Sequence, residues 1–266
     1  TSGVYDATHN GGYDIIVGKF SPSGALLAST FVGGTGDDGV NINSAFSGFG
    51  SLKFNYADDG RGEIILDNSS EVYVAGSTRS VDFPVTTGAH DITLGGTQDG
   101  CVFKMNSSLT SLAFSTYLGG AADDAAYGIK LSSNSVYVTG GTTSADFPAT
   151  AGVLNPAYQG GSADGYITAL NSTGTSVLYS TFIGTSDYDQ SYMIETDANS
   201  DIYVFGQTKG AYPVTAGTYS NPNSKQFIHK LSSQLNSTIF STVIGNGSVN
   251  PNISPTAFLV DSCQSI

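Results

Sequence analysis

Pairs of aspartate residues recur at equivalent places in this chain, and their chemistry is the first feature to explain. The pairs are Asp37-Asp38 in GTGDDG, Asp123-Asp124 in AADDAA, and Asp187 with Asp189 in TSDYDQ. Carboxylates beside glycines and backbone carbonyls are the oxygen ligands that calcium prefers. Such aspartates also cap turns by accepting hydrogen bonds from nearby backbone N–H groups. The pattern favours turn capping, and it names Asp37, Asp38, Asp123 and Asp124 as the candidate calcium ligands.

The histidines carry a much weaker signal. His9 and His90 both follow a Thr-x-Gly loop, so they could lie on one face of adjacent units, whereas His229 stands at an unrelated position. A metal site or an acid-base pair built from them is a minor hypothesis. The chain has no GxSxG, HExxH, P-loop or CxxC motif. We therefore predict no catalytic residue and no cofactor other than calcium.

The elements that must position these residues come from an internal repeat. The segment SVYVTGGTTSADFP, at Ser135 to Pro148, recurs upstream as EVYVAGSTRSVDFP, at Glu71 to Pro84. A weaker copy, DIYVFGQTKGAYP, occupies Asp201 to Pro213. A period of about 65 residues indicates a repeat architecture.

Four kinds of short strand follow one another in a fixed order, each with apolar alternation between turn residues. The first kind comprises Gly12 to Phe20, Gln98 to Met105, Ala163 to Leu170 and Lys225 to Leu231. The second comprises Leu26 to Gly34, Leu112 to Gly120, Val177 to Gly184 and Thr238 to Gly245. The third comprises Arg61 to Asp67, Ala126 to Ser132, Ser191 to Asp197 and Thr256 to Ser262. The fourth is the repeated segment that carries Tyr73, Tyr137 and Tyr203.

These strands predict an all-β protein, a β-propeller built of four-stranded antiparallel blades. One four-stranded sheet cannot bury both of its faces, but neighbouring sheets packed face to face bury them for each other. Small residues at Gly76, Gly140 and Gly206 fit strands that are crowded near the propeller axis. We divide the chain into a partial blade (1–34), an insertion (35–60), blades 61–120, 121–184 and 185–245, and a partial blade (246–266).

Both ends of the sequence fall inside a blade. Thr1 opens in the middle of a repeat, so we expect the gene product to begin upstream. The fourth strand and DFP segment that would close a four-bladed ring are missing from the sequence, which favours a window of a longer propeller. The insertion contains an alternation, SLKFNY, that could form an additional strand or hairpin, and it is either a binding loop or a tolerated decoration.

Composition limits the classes of partner. The formal net charge is -13, which disfavours binding to a phosphate backbone or to an anionic membrane surface. No apolar run reaches the length of a membrane span, so we expect no membrane insertion. Cys101 and Cys263 lie at non-equivalent repeat positions and are expected to be unpaired thiols, although a disulfide stays open.

The repeat resembles a known family. The succession VYVTGxTxSxDFPxTxG, GGxxDGxxxxL and YSTxxGG looks like the seven-bladed β-propeller repeat family of bacterial surface and secreted proteins. It is carried by Val72 to Gly88 with Gly95 to Gly120, and by Val136 to Gly152 with Gly160 to Gly184. The third copy departs from it, with Tyr212 in place of Phe and the GGxxDG element lost at Pro222 to Gln226. The insertion and the ending AFLVDSCQSI are similar to a subset in very large surface proteins of gliding bacteria.

The resemblance implies an extracellular or cell-surface location, further domains on the same polypeptide and no shared catalytic residues. We therefore expect a non-catalytic propeller module that acts in adhesion, in binding or as a structural spacer. Its expected partners are other surface proteins or extracellular glycans. One alternative is a secreted carbohydrate-active propeller enzyme, a glycosidase or lyase with carboxylates meeting at the axis. Another is a structural subunit of a surface filament.

Overall fold

The computed structural model describes residues 1–41 and 52–266, and within these residues the protein is all-β. It has fourteen strands and one short 3-10 helix, Tyr56–Gly60, in the described part of the chain. Ten of the fourteen strands in the described residues have at least half of their residues buried, which fits their dense content of Val, Ile, Tyr and Phe. No helix in the described ranges has the length and apolarity needed to cross a bilayer.

Twelve strands form three antiparallel sheets of four, each in simple sequence order. The first sheet contains β3 (Glu63–Leu66), β4 (Val72–Thr78), β5 (Asp99–Met105) and β6 (Leu112–Leu118). The second contains β7 (Asp124–Ser132), β8 (Ser135–Thr142), β9 (Asp164–Asn171) and β10 (Val177–Ile183). The third contains β11 (Asp189–Thr196), β12 (Ile202–Thr208), β13 (Gln226–Leu231) and β14 (Thr238–Ile244).

The two remaining strands, β1 (Ile15–Phe20) and β2 (Leu26–Val32), form an antiparallel pair. In this N-terminal pair Ile16 lies opposite Phe31, just as Cys101 lies opposite Tyr117 in the first sheet. The pair thus corresponds to the third and fourth strands of a four-stranded sheet. No strand pairing joins it to β14 in the described part of the chain.

Consecutive sheets pack face to face, which confirms the expected antiparallel four-stranded units and their mutual burial. Alternate residues of β4 point to opposite sides, as the period of two in a strand requires. Tyr73 and Ala75 join a core with Ile129 of the second sheet. Val72 and Val74 join a second core with Val17, Val32 and other residues of the N-terminal pair. A third core lies between the second and third sheets and includes Tyr137, Ile194 and Val204.

Every predicted strand run overlaps an observed strand except the last. Thr256 to Ser262 was expected to be a strand, and this prediction is wrong, because these residues have no strand pairing. The segment still packs on the third sheet, where Phe258 lies 5.6 Å from Phe205 between ring centroids. An extended segment without a neighbouring strand cannot form a hydrogen-bonded ladder.

The extra strand or hairpin proposed for SLKFNY is also wrong over its described part. Ser51 and the residues before it, back to position 42, lie outside the described residues. From Leu52 onward the chain forms an irregular loop that leads into the 3-10 helix. Leu52 is buried in a small core with Tyr127, Tyr188 and Tyr192, so side-chain packing takes the place of strand pairing.

Two of the three repeated glycines are crowded, and the cause is local. A β-carbon at Gly140 would lie 1.9 Å from the carbonyl oxygen of Ala125, and one at Gly206 would lie 2.3 Å from that of Gln190. Both carbonyls belong to first strands that carry a register shift beside the glycine. At Gly76 the nearest atom would be 3.5 Å away, because β3 begins at Glu63 opposite Ala75 and stops short of this glycine.

These glycines give a matched test of packing. We expect Gly140→Ala to lower the free energy of unfolding by about 1–3 kcal/mol, since overpacking against backbone cannot be relieved by a rotamer change. Gly76→Ala, at the equivalent position, should be neutral or stabilise by up to about 1 kcal/mol, since alanine loses less backbone entropy on folding. Urea unfolding of both variants measures the difference, and equal effects would contradict the role assigned to the Ala125 carbonyl.

Candidate functional site

The aspartates predicted from the sequence do not act as adjacent pairs. Asp38 is buried and its carboxylate accepts hydrogen bonds from the Gly34 N–H at 2.8 Å, from the Ser80 hydroxyl at 2.7 Å and from the Thr78 hydroxyl. Asp37 points elsewhere and accepts the Tyr13 N–H at 3.3 Å. The two carboxylates therefore serve different parts of the structure.

The second copy behaves in the same way. Asp124 is buried and accepts the Gly120 N–H at 2.7 Å and the Ser144 hydroxyl at 2.8 Å. Asp123 accepts the Thr97 hydroxyl at 2.6 Å. Asp38 and Asp124 each accept an N–H from four residues earlier, as turn capping predicts, whereas Asp37 and Asp123 accept hydrogen bonds from distant segments. Calcium at these residues stays a prediction.

Asp38 and Asp124 instead each lie beside an aspartate from a distant part of the sequence. Asp99 and Asp124 flank Gly119, where a β-carbon would lie 2.7 Å from one carboxylate and 2.8 Å from the other. The same arrangement occurs in three places, at Asp14 and Asp38 around Gly33, at Asp99 and Asp124 around Gly119, and at Asp164 and Asp189 around Gly184. We call these the carboxylate pairs. A glycine is required between them because any side chain there would collide with both carboxylates.

Sequence reasoning missed the pairing although its signal was present. Asp99 and Asp164 recur before a glycine at the start of the same kind of strand, a pattern that a simple strand-entry turn also explains. Asp14 stands at the equivalent position, with isoleucine in place of the glycine. The partners are about 25 residues apart, and only the sheet geometry brings them together.

Burial makes two of the carboxylate pairs, Asp99 with Asp124 and Asp164 with Asp189, reluctant to ionise. Loss of hydration raises the pKa of Asp99 to about 6 and that of Asp124 to about 7. The same cause raises the pKa of Asp164 to about 7 and that of Asp189 to about 6. Within the described ranges, one buried oxygen of each of Asp14, Asp124, Asp164 and Asp189 accepts no hydrogen bond. A bound proton or a bound cation would each relieve this unpaired charge.

In each unit a hydroxyl group donates a hydrogen bond to one aspartate of the carboxylate pair, but the residue that supplies the hydroxyl differs between units. In two units a serine supplies the hydroxyl and a glycine makes room for it, Ser80 beside Gly34 and Ser144 beside Gly120. In the third unit Thr185 donates its hydroxyl to Asp189 at 2.8 Å, and the serine position is occupied by Gly210. The hydroxyl-bearing residue and the glycine have therefore exchanged positions in the third unit.

The pattern ends in the third sheet, where Lys225 stands opposite Thr208 at the position of Asp99 and Asp164. Its ammonium donates to the carbonyls of Lys209 and Gly210, both at 2.8 Å. A β-carbon at Gly245 would meet the amide oxygen of Gln226 at 2.8 Å. A neutral amide thus lies where the other units have a carboxylate.

The histidines and cysteines form no cluster with metal-binding geometry in residues 1–41 and 52–266. His9 packs edge-on against Phe31, and His90 forms a backbone hydrogen bond to Gly174. His229 is buried and lies 2.8 Å from both the Tyr212 and Thr238 hydroxyls. Cys101 is buried, Cys263 is exposed, and both are free thiols, as expected for residues at non-equivalent repeat positions.

A polar cavity of about 420 Å³ lies beside the first strands of the three sheets. Its lining includes Arg61, Glu63, Tyr127, Tyr192 and Glu195. The Arg61 guanidinium lies 4.6 Å from the centre of the Tyr192 ring, which stacks on Tyr127 at 5.6 Å. Both tyrosines are almost fully buried, so their ring faces are occupied by protein.

The two glutamates of this cavity are also engaged. Glu63 accepts the Ile129 N–H at 2.8 Å, and partial burial raises its pKa. Glu195 forms an ion pair with Lys130 at 2.5 Å. They approach each other closely enough for charge repulsion to act on Glu63, but each has its own structural partner.

The described end of the insertion packs against the same strands. The Asn55 side chain donates to the Tyr192 hydroxyl at 3.2 Å and to the Gln207 amide oxygen at 3.0 Å. The Leu52 carbonyl accepts the Tyr127 hydroxyl at 2.9 Å. Residues 52–60 are therefore part of the packed structure and connect the second and third sheets.

The carboxylate pairs predict an unusual pH dependence. An aspartate with a pKa near 7 in the folded state, against 3.8 ordinarily, binds more protons when folded over that interval. The free energy of unfolding should therefore fall as pH rises from about 4 to about 7. Asp124→Asn should flatten this slope and raise stability at pH 8 by about 1 kcal/mol or more, because a tenfold change in proton affinity corresponds to about 1.4 kcal/mol.

Asp123→Asn is the matched control, since it removes the same charge one residue away, and it should change the slope much less, because Asp123 is only the smallest of the causes that raise the pKa of Asp99. His229 contributes with the opposite sign, because burial lowers its pKa to about 4, so slopes are compared between variants. Calcium is tested in the same unfolding series with added calcium chloride against matched ionic strength. Capping alone predicts no calcium effect, whereas bound calcium would restore stability at pH 8 in the parent and not in Asp124→Asn.

The exchanged positions of the hydroxyl and the glycine predict that substitutions at Thr185 and Gly210 have strongly coupled effects on the free energy of unfolding. Gly210→Ser alone should lower the free energy of unfolding by about 1–3 kcal/mol, because its β-carbon would lie 2.0 Å from the Thr185 hydroxyl oxygen. Thr185→Gly alone should cost about 1 kcal/mol through the lost hydrogen bond. The double variant recreates the arrangement of the other units and should recover at least about 1 kcal/mol of the summed loss in urea unfolding. Additive effects would show that the two sites are independent.

Comparison with known proteins adds no family to this description. No protein-family model matches the chain, and no curated protein matches its sequence. The repeat and the geometry described above are therefore the basis for any functional assignment.

Proposed function

We propose that this chain is a rigid, non-catalytic section of a β-propeller in a large extracellular or cell-surface protein. The observation that carries the proposal is the repeated sheet-to-sheet contact. The second strand of one sheet packs on the first strand of the next, β4 on β7 and then β8 on β11. A contact that recurs with the same strands builds an array whose neighbours fix one another in place.

Contacts among the first strands support the propeller arrangement. β3 contacts β7, and β7 contacts β11, so the strands that begin each sheet lie side by side. Radially arranged sheets bring their first strands together in this way. The N-terminal pair supplies the third and fourth strands of a further blade, which supports a section of a longer propeller.

The use made of the acidic residues supports a non-catalytic role. A glycosidase needs two carboxyl groups that face a substrate across a defined gap. Five of the six aspartates in the carboxylate pairs are buried, and the pairs recur in several units, as expected of residues that support the fold. Glu63 and Glu195 border the polar cavity, but one is held by a backbone N–H and the other by Lys130.

A scaffold of this kind would present loops to extracellular partners such as other surface proteins or glycans. The net charge of -13 suits a soluble exterior surface and disfavours nucleic acid. The location itself rests on the family resemblance of the repeat. The insertion at residues 35–60 is the largest departure of the sequence from the repeat and is the first segment to examine for binding.

A turnover assay separates this proposal from the enzyme alternative. The protein is incubated with a panel of acidic and neutral polysaccharides, and new reducing ends and unsaturated products are measured. We expect no products from the parent protein or from a Glu63→Gln/Glu195→Gln variant. Products that form with the parent and disappear in that variant would assign a hydrolase or lyase site to the polar cavity.

Sedimentation under the same conditions separates the scaffold from the filament alternative. A monomer at all concentrations is the expected result for a section of a larger chain. Ordered, concentration-dependent growth beyond a dimer would favour a filament subunit.

A further inference from the structure

A groove of about 350 Å³ lies between the first and second sheets, beside the turns that follow β3 and β7. We propose that this groove binds a neutral sugar unit of an extracellular glycan, an inference that rests on the proposed role of the chain as a scaffold for such partners. Both sheets have all four strands, so the groove is internal to the repeated structure. Ser172, in the turn that follows β9, also lines it.

The same backbone hydrogen bond holds each described pair of neighbouring units together. The N–H group comes from the loop before the third strand of one unit, and the carbonyl comes from the turn after the third strand of the next unit. The three bonds are Tyr5 to Leu109 at 2.8 Å, His90 to Gly174 at 2.9 Å and Leu154 to Leu235 at 2.8 Å. The first and second sheets therefore dock as the other units do, and the groove does not arise from looser docking.

A second contact joins the other units and has no counterpart at this junction in the described chain. The Tyr137 hydroxyl of the second sheet donates to the Ser233 carbonyl of the third sheet at 3.0 Å. The Lys19 ammonium of the N-terminal pair donates to the Ser107 carbonyl of the first sheet, also at 3.0 Å. Ser172 holds the equivalent position in the second sheet, and its carbonyl accepts no hydrogen bond from the described residues. The groove thus contains a backbone acceptor that the other junctions satisfy.

The residues around Tyr73 explain why this contact is not made. Tyr73 is the counterpart of Tyr137, but its hydroxyl donates to Asp67 of its own sheet at 3.4 Å. The Lys104 ammonium lies 4.8 Å from the centre of the Tyr73 ring. In the second sheet Ala169 stands at the position of this lysine, opposite Tyr137. The acid and the lysine therefore hold Tyr73 within the first sheet.

The hairpin of the second sheet is also one residue shorter than that of the first. Four residues, 132–135, separate Leu131 from its partner Val136, whereas five residues, 67–71, separate Leu66 from Val72. Both central residues of the shorter turn have positive φ, 48° and 63°, which is the conformation of the tightest hairpins. A shorter turn extends less far, and this leaves room between the two hairpins.

The polar groups of the groove suit a ligand with many hydroxyl groups. Asn68, Ser69 and Ser135 line it, and their side chains form no hydrogen bond within residues 1–41 and 52–266. A serine hydroxyl and an asparagine amide can each donate and accept, as the hydroxyl groups of a sugar can. Leu131 and Val136 add apolar surface for the C–H groups of a sugar ring.

The charges of the groove favour a neutral ligand. Among the described residues that line it, Asp67 is the only carboxylate, and none is a lysine, arginine or histidine. Asp67 already lies 3.7 Å from the ammonium of Lys104, which also pairs with Glu71 at 2.5 Å. Neither a cation nor an anion would therefore find an unpaired counter-charge here. The volume falls within the range of about 300–1,000 Å³ that is typical of small-molecule sites.

The probes are the methyl glycosides of glucose, galactose, mannose and N-acetylglucosamine, titrated into isotope-labelled parent protein and followed by backbone NMR shifts. We expect saturable shifts at residues 132–136 and at Ser172 with at least one of the four. Ser69→Tyr fills the groove from an exposed turn position and should weaken this binding at least about tenfold, which corresponds to about 1.4 kcal/mol. Asn199→Tyr is the matched control, because Asn199 is the equivalent exposed residue of the third sheet, and it should leave the affinity unchanged.

Methyl glucuronide tests the charge argument and should bind more weakly than the best neutral glycoside. Thermal unfolding of both tyrosine variants checks that they are folded. The proposal is overturned if none of the four neutral glycosides gives saturable shifts, or if both variants lose the same affinity. Shifts centred on Arg61 and Glu63 would overturn it in favour of the polar cavity. A scaffold without this site would still show no turnover and no filament growth, so the two proposals fail separately.

Discussion

A four-stranded sheet in this protein has two apolar faces, and the rest of the structure depends on covering both of them. The second strands show the constraint most clearly, because β4, β8 and β12 are buried along their entire length or nearly so. Alternate residues of β4 serve two different cores, with Tyr73 on one side and Val74 on the other. No sheet could be stable alone, since removing its neighbour would expose one complete row of these side chains. The order of the units along the chain therefore fixes their order in space.

The carboxylate pairs follow from the same constraint. Where one sheet passes to the next, the chain turns sharply and leaves backbone N–H groups without partners inside the protein. Asp38 and Asp124 accept these N–H groups, and the glycine between each pair makes room for a second carboxylate. The third sheet shows that the charge itself is dispensable, because Lys225 and Gln226 replace the arrangement with donors and a neutral amide. What every unit shares is the need for hydrogen-bond partners for the polar backbone groups at the turn between sheets.

The strands could be predicted from the sequence, but the side-chain contacts that depend on the packing of the sheets could not. Repeated apolar alternation identified every strand that has a partner, because strand patterning is local and the repeat supplied several copies to compare. Thr256 to Ser262 carries the same alternation and fails to pair, which shows that pattern alone does not make a strand when no neighbouring edge is present. The pairing of Asp99 with Asp124 depends on sheet packing, and no local rule gives it. The adjacent aspartates drew attention because they stand out in the sequence, yet Asp37 and Asp123 serve other turns.

Some positions in this chain depart from the repeat, and they depart in two different ways. Residues 52–60 replace strand pairing with aromatic packing and link the second and third sheets through Asn55, Tyr192 and Gln207. Thr185 and Gly210 depart in another way, because Thr185 supplies the hydroxyl that the other units take from a serine and Gly210 leaves the space for it. The two kinds of departure thus have different meanings, since the first replaces an element of the repeat and the second preserves a contact of the repeat with different residues.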